Sequence, residues 1–284
     1  MRRTRSNGEG EMIEQRVSRW GVLTVAVWLA GTVMAQAQTA ATQTPYEPKV
    51  GQAGKDVVWV PTPQTLVDKM LEMAKVTPQD YLIDLGSGDG RTVITAAKRG
   101  IRAHAIEYNE DMVRLAKRNA AEEKVSHLAT FEKADIFESD FSKATVITLF
   151  LLPQLNLKLR PTLLDLKPGT RIVSNSFTME DWQPDETATI DDGCTSWCTA
   201  LFWIVPAKVD GRWKLGDGEL ALAQEFQKIS GTLGGTPISE GSLKGDEITF
   251  TVGTAKYIGR VAGNSMQGTI AGGREAATWS ASRQ

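Results

Sequence analysis

The sequence has little of what metal centres and disulfide-stapled folds require. Its 284 residues include two cysteines and two histidines, which excludes a four-ligand zinc site of the usual spacing and more than one disulfide bridge. The net charge is −2, and the 32 basic and 34 acidic residues are interleaved along the chain. Proteins that bind a nucleic-acid backbone carry a concentrated positive surface, so no nucleic-acid partner is expected.

The chain does contain what a folded core requires. Apolar residues make up 41% of the sequence, with 8 Trp and 8 Phe, and this composition excludes wholesale disorder. The length is about twice that of a typical domain. We therefore expect either one large domain or a medium domain followed by a smaller one.

The amino terminus has the three parts of an export signal. Several arginines precede an uncharged apolar run at 20–35, and Ala35-Gln36-Ala37 has the small-x-small form of a signal-peptidase site. The run is shorter than the roughly 20 residues of a spanning helix. Residues 1–37 are predicted to be a signal peptide, so the mature protein would be periplasmic or extracellular with no stable membrane span. An uncleaved membrane anchor and a cytoplasmic protein starting at Met34 are the alternatives.

Helical and strand patterns alternate through the middle of the chain. Residues 38–56 lack apolar periodicity and are rich in Thr, Ala, Gln and Pro, which is typical of a flexible linker. The predicted domain spans residues 57–206. Within it, short apolar runs alternate with helical patterns, and the last strand of this alternation is at 171–174. This alternation predicts an α/β fold with a mainly parallel, Rossmann-like sheet and helices on both faces.

The composition changes after Pro206. Fourteen of the 26 glycines lie between Gly211 and Gly273, and the apolar residues alternate in short pieces such as Ile248, Phe250 and Val252. Period-two alternation bounded by turn residues is typical of short antiparallel strands. Residues 207–284 are predicted to form a small antiparallel β module, as a sheet, a sandwich or a partial barrel.

A glycine-rich segment at 81–91, YLIDLGSGDGR, carries the chemistry. A buried strand ends in an acid, and a turn with Gly86, Ser87, Gly88 and Gly90 then opens a helix, so that backbone can approach a ligand closely. The third glycine comes one residue too early for a dinucleotide site. Asp84 would repel a pyrophosphate, but it suits a ligand that carries an ammonium and a sulfonium group.

The DLGSGDG segment resembles the first motif of class I S-adenosylmethionine-dependent methyltransferases. That resemblance implies S-adenosyl-L-methionine as the cofactor. It also implies that Glu107, which ends the next predicted strand, binds both ribose hydroxyls, and that Asp135, after the third strand, lies against the adenine amino group. Thr62 is predicted to fold over the cofactor.

A closer resemblance extends over about 57–206. VPTP at 60–63, LLPQLN at 151–156 and LKPGTRIVS at 166–174 are similar to bacterial relatives of the mitochondrial lysine methyltransferases that modify the ATP-synthase c subunit and the adenine nucleotide translocase. The resemblance implies a protein-lysine N-methyltransferase whose methyl acceptor is a protein lysine. It stops at both ends of the chain, because those enzymes lack an export signal and the glycine-rich module.

The acceptor site is predicted where the fourth strand ends. Open α/β sheets bind ligands beyond the carboxyl ends of their strands, and Phe150, Leu151, Leu152 and Pro153 occupy that position. Methyl transfer needs positioning and exclusion of water rather than a metal or a covalent intermediate, so no catalytic residue is assigned. The alternative function is an exported binding protein that keeps the methyltransferase fold and acts through its β module.

The two cysteines leave two arrangements open. Cys194 and Cys198 are four residues apart, and they can form a disulfide if a turn brings their α-carbons within about 7 Å. In a continuous strand they could not pair. Two free cysteines in a partly buried strand are the arrangement that the pattern favours slightly.

Overall fold

The computed structural model describes residues 46–272 and 277–284. The predicted signal at 1–37 lies outside the described residues, as does the first part of the predicted linker. Among the described residues, no helix combines the length and the apolar character needed to cross a membrane.

The first part of the described chain forms a seven-stranded sheet with the order β3-β2-β1-β4-β5-β7-β6. Strands β1 to β5 pair in parallel, and β7 runs antiparallel to both β5 and β6. The strands are β1 Tyr81–Leu85, β2 Arg102–Glu107, β3 Ala129–Lys133, β4 Val146–Leu149, β5 Arg171–Asn175, β6 Glu186–Thr189 and β7 Thr199–Ile204. This sheet confirms the predicted Rossmann-like α/β class.

In the described part of the chain, four helices cover the two faces of the sheet. They are α1 Gln64–Met73, α2 Arg91–Lys98, α3 Glu110–Glu122 and α4 Pro153–Leu164. Because side chains alternate across a strand, Leu82 of β1 packs into the core with α1 to α3, whereas Ile83 packs into the core with α4. Helix α3 begins where the Asn109 side chain accepts a hydrogen bond from the Asp111 N–H at 2.9 Å, which satisfies one of the free N–H groups of the first turn.

Eight antiparallel strands form a closed barrel at the carboxyl terminus. They are β8 Gly211–Leu215, β9 Gly218–Glu225, β10 Lys228–Leu233, β11 Thr236–Lys244, β12 Glu247–Val252, β13 Ala255–Ala262, β14 Ser265–Ala271 and β15 Ala277–Arg283. Each strand pairs with the next, and β8 closes the barrel by pairing with β15. The predicted antiparallel module is confirmed, and closure of the barrel pairs each of its described strands on both sides. Trp213, Phe250 and Trp279 are buried in its core.

The barrel packs directly against the sheet region. The Phe226 ring stacks on the fully buried Trp182 with centroids 6.0 Å apart. The backbone N–H of Ala207 donates to the Gly245 carbonyl at 2.8 Å, and the Gln227 side chain donates to the Gln183 carbonyl at 2.8 Å. Apolar stacking and hydrogen bonds thus join the two parts.

Two sequence-based expectations differ from the structure. Residues 46–56, predicted as part of a flexible linker, are held in place by hydrogen bonds such as that from the Gly51 N–H to the Trp59 carbonyl at 2.8 Å, and 52–56 line a pocket at the sheet edge. Cys194 and Cys198, for which free thiols were slightly favoured, form a disulfide. A turn between β6 and β7 brings their α-carbons to 5.8 Å, a separation that an extended strand does not allow.

Candidate active site

The glycine-rich loop joins β1 to α2 at the carboxyl edge of the sheet. The Gly86 N–H donates to the Ile106 carbonyl at 2.9 Å, which ties the loop to β2. Gly88 and Gly90 have φ angles of +54° and +82°, a conformation that side chains with a Cβ rarely adopt. A Cβ on Gly90 would lie 2.6 Å from the Phe131 ring. The glycines therefore fix both the shape of the loop and its packing.

Glu107 lies at the end of β2 and faces this loop. Its Oε2 accepts from the Gly88 N–H at 2.9 Å, and its Oε1 accepts from the Asn109 N–H at 2.8 Å. A carboxylate has about four acceptor positions. Two of them hold the backbone around the pocket, and the others remain for a ligand.

Asp84 is a buried acid at the end of β1. It is 6% exposed, and the Thr148 hydroxyl donates to its Oδ1 at 2.6 Å. Burial raises the pKa of Asp84 to about 7, and the nearby Glu107 carboxylate adds to this shift, while the Thr148 hydrogen bond opposes it. The protonation state of a buried acid whose pKa lies near neutral pH changes readily when a cationic ligand binds beside it.

Asp135 follows β3 and is paired with a residue from the amino-terminal segment. Lys55 Nζ contacts Asp135 Oδ2 in a charge-assisted hydrogen bond, and the Phe137 N–H donates to Oδ1 at 2.9 Å. The lysine hydrogen bond is the main cause of the lowered pKa of Asp135. Lys55 also lies 4.7 Å from the centre of the Tyr108 ring.

The segment 46–62, here called the strap, contributes residues 52–62 to the pocket wall. Thr62 is buried, its hydroxyl accepts from the Asn175 side chain at 3.3 Å, and its carbonyl accepts from Arg91 at 2.9 Å. Trp59 packs so closely over the loop that a Cβ on Gly88 would lie 2.6 Å from the indole nitrogen. Thr62 was predicted from the sequence, whereas Lys55, Trp59 and Asn175 were not.

One pocket brings these residues together. Among its lining residues are all the predicted cofactor positions except Gly90, namely Asp84, Gly86, Ser87, Gly88, Glu107, Asp135 and Thr62. Within the described residues, the buried Ser87 hydroxyl has no hydrogen-bond partner, so it is free to donate to a ligand. Three carboxylates on the ends of adjacent strands suit a ligand that is rich in donors and positively charged. S-adenosylmethionine has that character, with its ammonium, sulfonium, ribose hydroxyls and adenine amino group.

The predicted acceptor stretch follows β4 at the same edge. Phe150 and Leu151 line the same pocket, and Leu152 lines an adjoining cavity. Pro153 is exposed and is the first residue of α4, where its fixed φ suits the first helical turn. The first three positions are thus beside the pocket, whereas Pro153 lies outside both walls.

Comparisons with known proteins agree with this geometry. Residues 84–186 match the model of the ANTKMT methyltransferase domain. A protein-lysine N-methyltransferase of Saccharolobus islandicus is 45% identical over 140 residues, which is 48% of this chain and 87% of that protein. The chain belongs to this methyltransferase family. The human lysine N-methyltransferase of the ATP synthase c subunit is 32% identical over 59% of this chain and 70% of its own length.

A solved structure supports the same assignment. This chain is similar to the structure of an RNA methyltransferase from Salinibacter ruber in complex with S-adenosyl-L-homocysteine. The identity is 47% and the TM-score 0.50, and the match covers 53% of this chain and 96% of that chain. S-adenosylmethionine is therefore the cofactor of this class I enzyme. The alternative of a binding protein that merely retains the fold is not supported.

Proposed function

We propose that the chain is a protein-lysine N-methyltransferase. The observation that carries the proposal is the composition of one pocket. Its apolar end, formed by Phe150 and Leu151, lies beside the carboxylates that suit the methyl donor S-adenosylmethionine. The curated relatives named above support lysine as the acceptor. The cofactor supplies an electrophilic methyl group bound to a sulfonium sulfur. When the acceptor nitrogen bonds to the methyl carbon, the bond from that carbon to sulfur breaks and the sulfur leaves as a neutral thioether.

We assign roles to the pocket residues from their positions. Glu107 binds the ribose hydroxyls, Asp135 accepts from the adenine amino group, and Asp84 neutralises the cationic end of the cofactor. Gly86 and Gly88 let the backbone approach closely, and Thr62 helps to close the strap over the site. These roles agree with a row of acceptors along the ends of β1, β2 and β3.

The acceptor amine must be neutral to attack, and the surroundings of β4 favour that form. Leu151 is 4% exposed, and Phe150 lies beside it on the pocket wall. Desolvation disfavours an ammonium and lowers the pKa of a lysine. The chain thus contributes orientation, exclusion of water and a shift toward the neutral amine, while the released proton passes to solvent.

The test is a methylation assay with a chain that starts near Gln38. We would incubate it with isotopically labelled S-adenosylmethionine and a heat-denatured bacterial proteome, and analyse digests for methyl-lysine. Glu107→Gln serves as the control with impaired cofactor binding. Because the Salinibacter ruber relative is an RNA methyltransferase, a parallel reaction contains total bacterial RNA. Label in methylated nucleosides, with none in lysine, would refute the proposal.

We further propose that the protein is exported. The three-part pattern at residues 1–37 motivates this, and the Cys194–Cys198 disulfide supports it, because disulfides persist in oxidising compartments. Expression with the native amino terminus in a bacterial host should give a mature chain that begins near Gln38. Intact-mass measurement of an uncut, soluble cytoplasmic chain with both thiols free would refute export.

A further inference from the structure

A second cavity adjoins the cofactor pocket. The two cavities share the strap residues Val57 and Val58 and the β4 end at Phe150 and Leu151. Beyond this common wall, the second cavity is completed by Leu152, Phe177 and Trp197. It therefore lies directly beside the apolar end of the pocket. We call it the side channel.

Three aromatic rings form one wall of the side channel. The Phe177 and Trp197 ring centres are 5.0 Å apart, and Phe150 stacks on Phe177 at 5.9 Å. The three rings lie outside the buried cores that flank the sheet, and Trp197 is 44% exposed. Phe150 and Phe177 are half-buried, and a partly exposed aromatic cluster of this kind is typical of binding surfaces.

The disulfide loop holds Trp197 in this position. Trp197 lies between Cys194 and Cys198, and its φ of +58° places it in the left-handed region. A bulky residue adopts that conformation at a cost, which persists only where the surroundings impose it. At the base of the loop, a Cβ on Gly193 would lie 3.1 Å from the Thr65 side chain of α1, so the loop is closed by a covalent bond and packed against a helix.

We propose that the side channel receives the acceptor lysine and that Trp197 determines the affinity for it. A lysine side chain has an apolar four-carbon stem and a cationic tip, and an aromatic face binds both parts. The Cys194–Cys198 disulfide acts as a positioning element for the ring. This inference rests on the proposed function and deepens it, because it names the residues that recognise the acceptor.

Three variants test the inference, with poly-L-lysine as the acceptor and saturating S-adenosylmethionine. Trp197→Ala should raise the apparent KM for poly-L-lysine about fivefold, equivalent to about 1 kcal/mol, and leave kcat and the cofactor Kd unchanged. Trp197→Phe should restore most of the affinity. The double variant Cys194→Ser/Cys198→Ser should also raise KM, because the disulfide positions the Trp197 ring. Ile258→Ala, at an apolar residue of similar exposure on β13 that lies outside the walls of both cavities, is the control and should match wild type.

The outcomes separate the two proposals. Wild-type enzyme that makes methyl-lysine in the proteome assay, with an unchanged KM in Trp197→Ala, overturns the side channel and leaves the proposed function standing. If the wild-type enzyme methylates proteome lysines but not poly-L-lysine, the side channel is likewise overturned and the proposed function stands, since recognition would then depend on the residues around the lysine. Absence of methyl-lysine from every protein substrate overturns both proposals. Calorimetry with S-adenosylmethionine shows whether each variant keeps an intact cofactor pocket.

Discussion

The Glu107 carboxylate accepts a hydrogen bond from the Gly88 backbone N–H at 2.9 Å. The residue that we assign to the ribose therefore also holds the glycine-rich loop in place. Charge-assisted hydrogen bonds of this kind are stronger than those between neutral groups. Replacing Glu107 by Ala would remove the loop contact together with the ligand contact, so the roles need a more conservative change.

Glu107→Gln is the milder change, because its one oxygen can still accept from either the Gly88 or the Asn109 N–H, although not from both. The amide keeps one acceptor oxygen but loses the charge and half of the acceptor positions. We expect the affinity for S-adenosylmethionine to fall by on the order of 2 kcal/mol, with circular dichroism unchanged. Glu132→Gln, an exposed position on the neighbouring β3, is the matched control and should bind as wild type. Equal calorimetric affinities for all three proteins would show that Glu107 does not bind the cofactor.

Cofactor binding should depend on pH through Asp84. Its pKa is about 7 in the folded protein, and a cationic ligand requires the ionised form. Below about pH 7 binding must first remove a proton, so the affinity should fall by up to about tenfold per pH unit. Asp84→Asn should bind weakly and with a flat pH profile. A wild-type affinity that is constant between about pH 5.5 and 8 would contradict this role.

The same acid should make the protein less stable as the pH rises. The folded pKa of about 7 lies above the ordinary value of 3.8, so its contribution to stability is fully present below about 3.8 and is lost as the pH rises through 7. The difference of about 3 pKa units corresponds to on the order of 4 kcal/mol. Asp84→Asn should therefore raise the free energy of unfolding of the cofactor-free protein more at about pH 8 than at about pH 5. Equal gains in urea unfolding at both pH values would contradict the assignment.

The grouping of acids in one pocket could be predicted from the sequence because its signals are local. Glu107 is the last residue of β2 and Asp84 is the last but one of β1, and a strand end is visible where the apolar pattern stops and turn residues begin. Their convergence then follows from the rule that parallel strands end at one edge. No long-range contact has to be known in advance.

The remainder depends on contacts between distant parts of the chain. Lys55 reaches Asp135 across 80 positions, and Asn175 reaches Thr62 across 113. Such pairs have no local pattern, since they exist only after the strap has folded over the sheet edge. Trp197 is similar, because its position depends on a turn between β6 and β7, strands that the sequence patterns did not indicate. The segment CTSWC at 194–198 was the available signal, with one aromatic enclosed by two cysteines.

Two glycines with the same backbone conformation test how tightly the loop is packed. Gly90 and Gly100 have φ angles of +82° and +80°, but a Cβ on Gly90 would lie 2.6 Å from Phe131, whereas the space around Gly100 is open among the described residues. Gly100→Ala should cost about 1 kcal/mol for the left-handed conformation alone. Gly90→Ala should cost a further 1 to 3 kcal/mol, roughly, for overpacking. Equal losses in thermal unfolding would show that the loop yields freely.

The barrel should stabilise the sheet region without taking part in cofactor binding. Phe226 is half-buried and stacks on Trp182 across the junction, so Phe226→Ala should lower the free energy of unfolding by about 1 to 2 kcal/mol. It should also expose the connection at 205–210 to limited proteolysis. Tyr257→Ala is the matched control, because Tyr257 stacks on Phe250 within the barrel at 4.7 Å and its loss should leave the junction protected.

Truncation after Lys208 extends the same test to the whole barrel. The proposed cofactor residues lie at or before Asp135, so the affinity for S-adenosylmethionine should stay within about threefold, or roughly 0.7 kcal/mol. The truncated chain should nevertheless be less stable, because Trp182 loses the ring that covers it, and its activity on protein lysine should fall if the barrel helps to recognise the acceptor. A truncated protein that remains folded but no longer binds the cofactor would show that the barrel shapes the active site itself. A comparison with Phe226→Ala then shows whether cofactor binding depends on the barrel itself or only on the junction. That variant disturbs the junction while keeping every barrel strand in the chain.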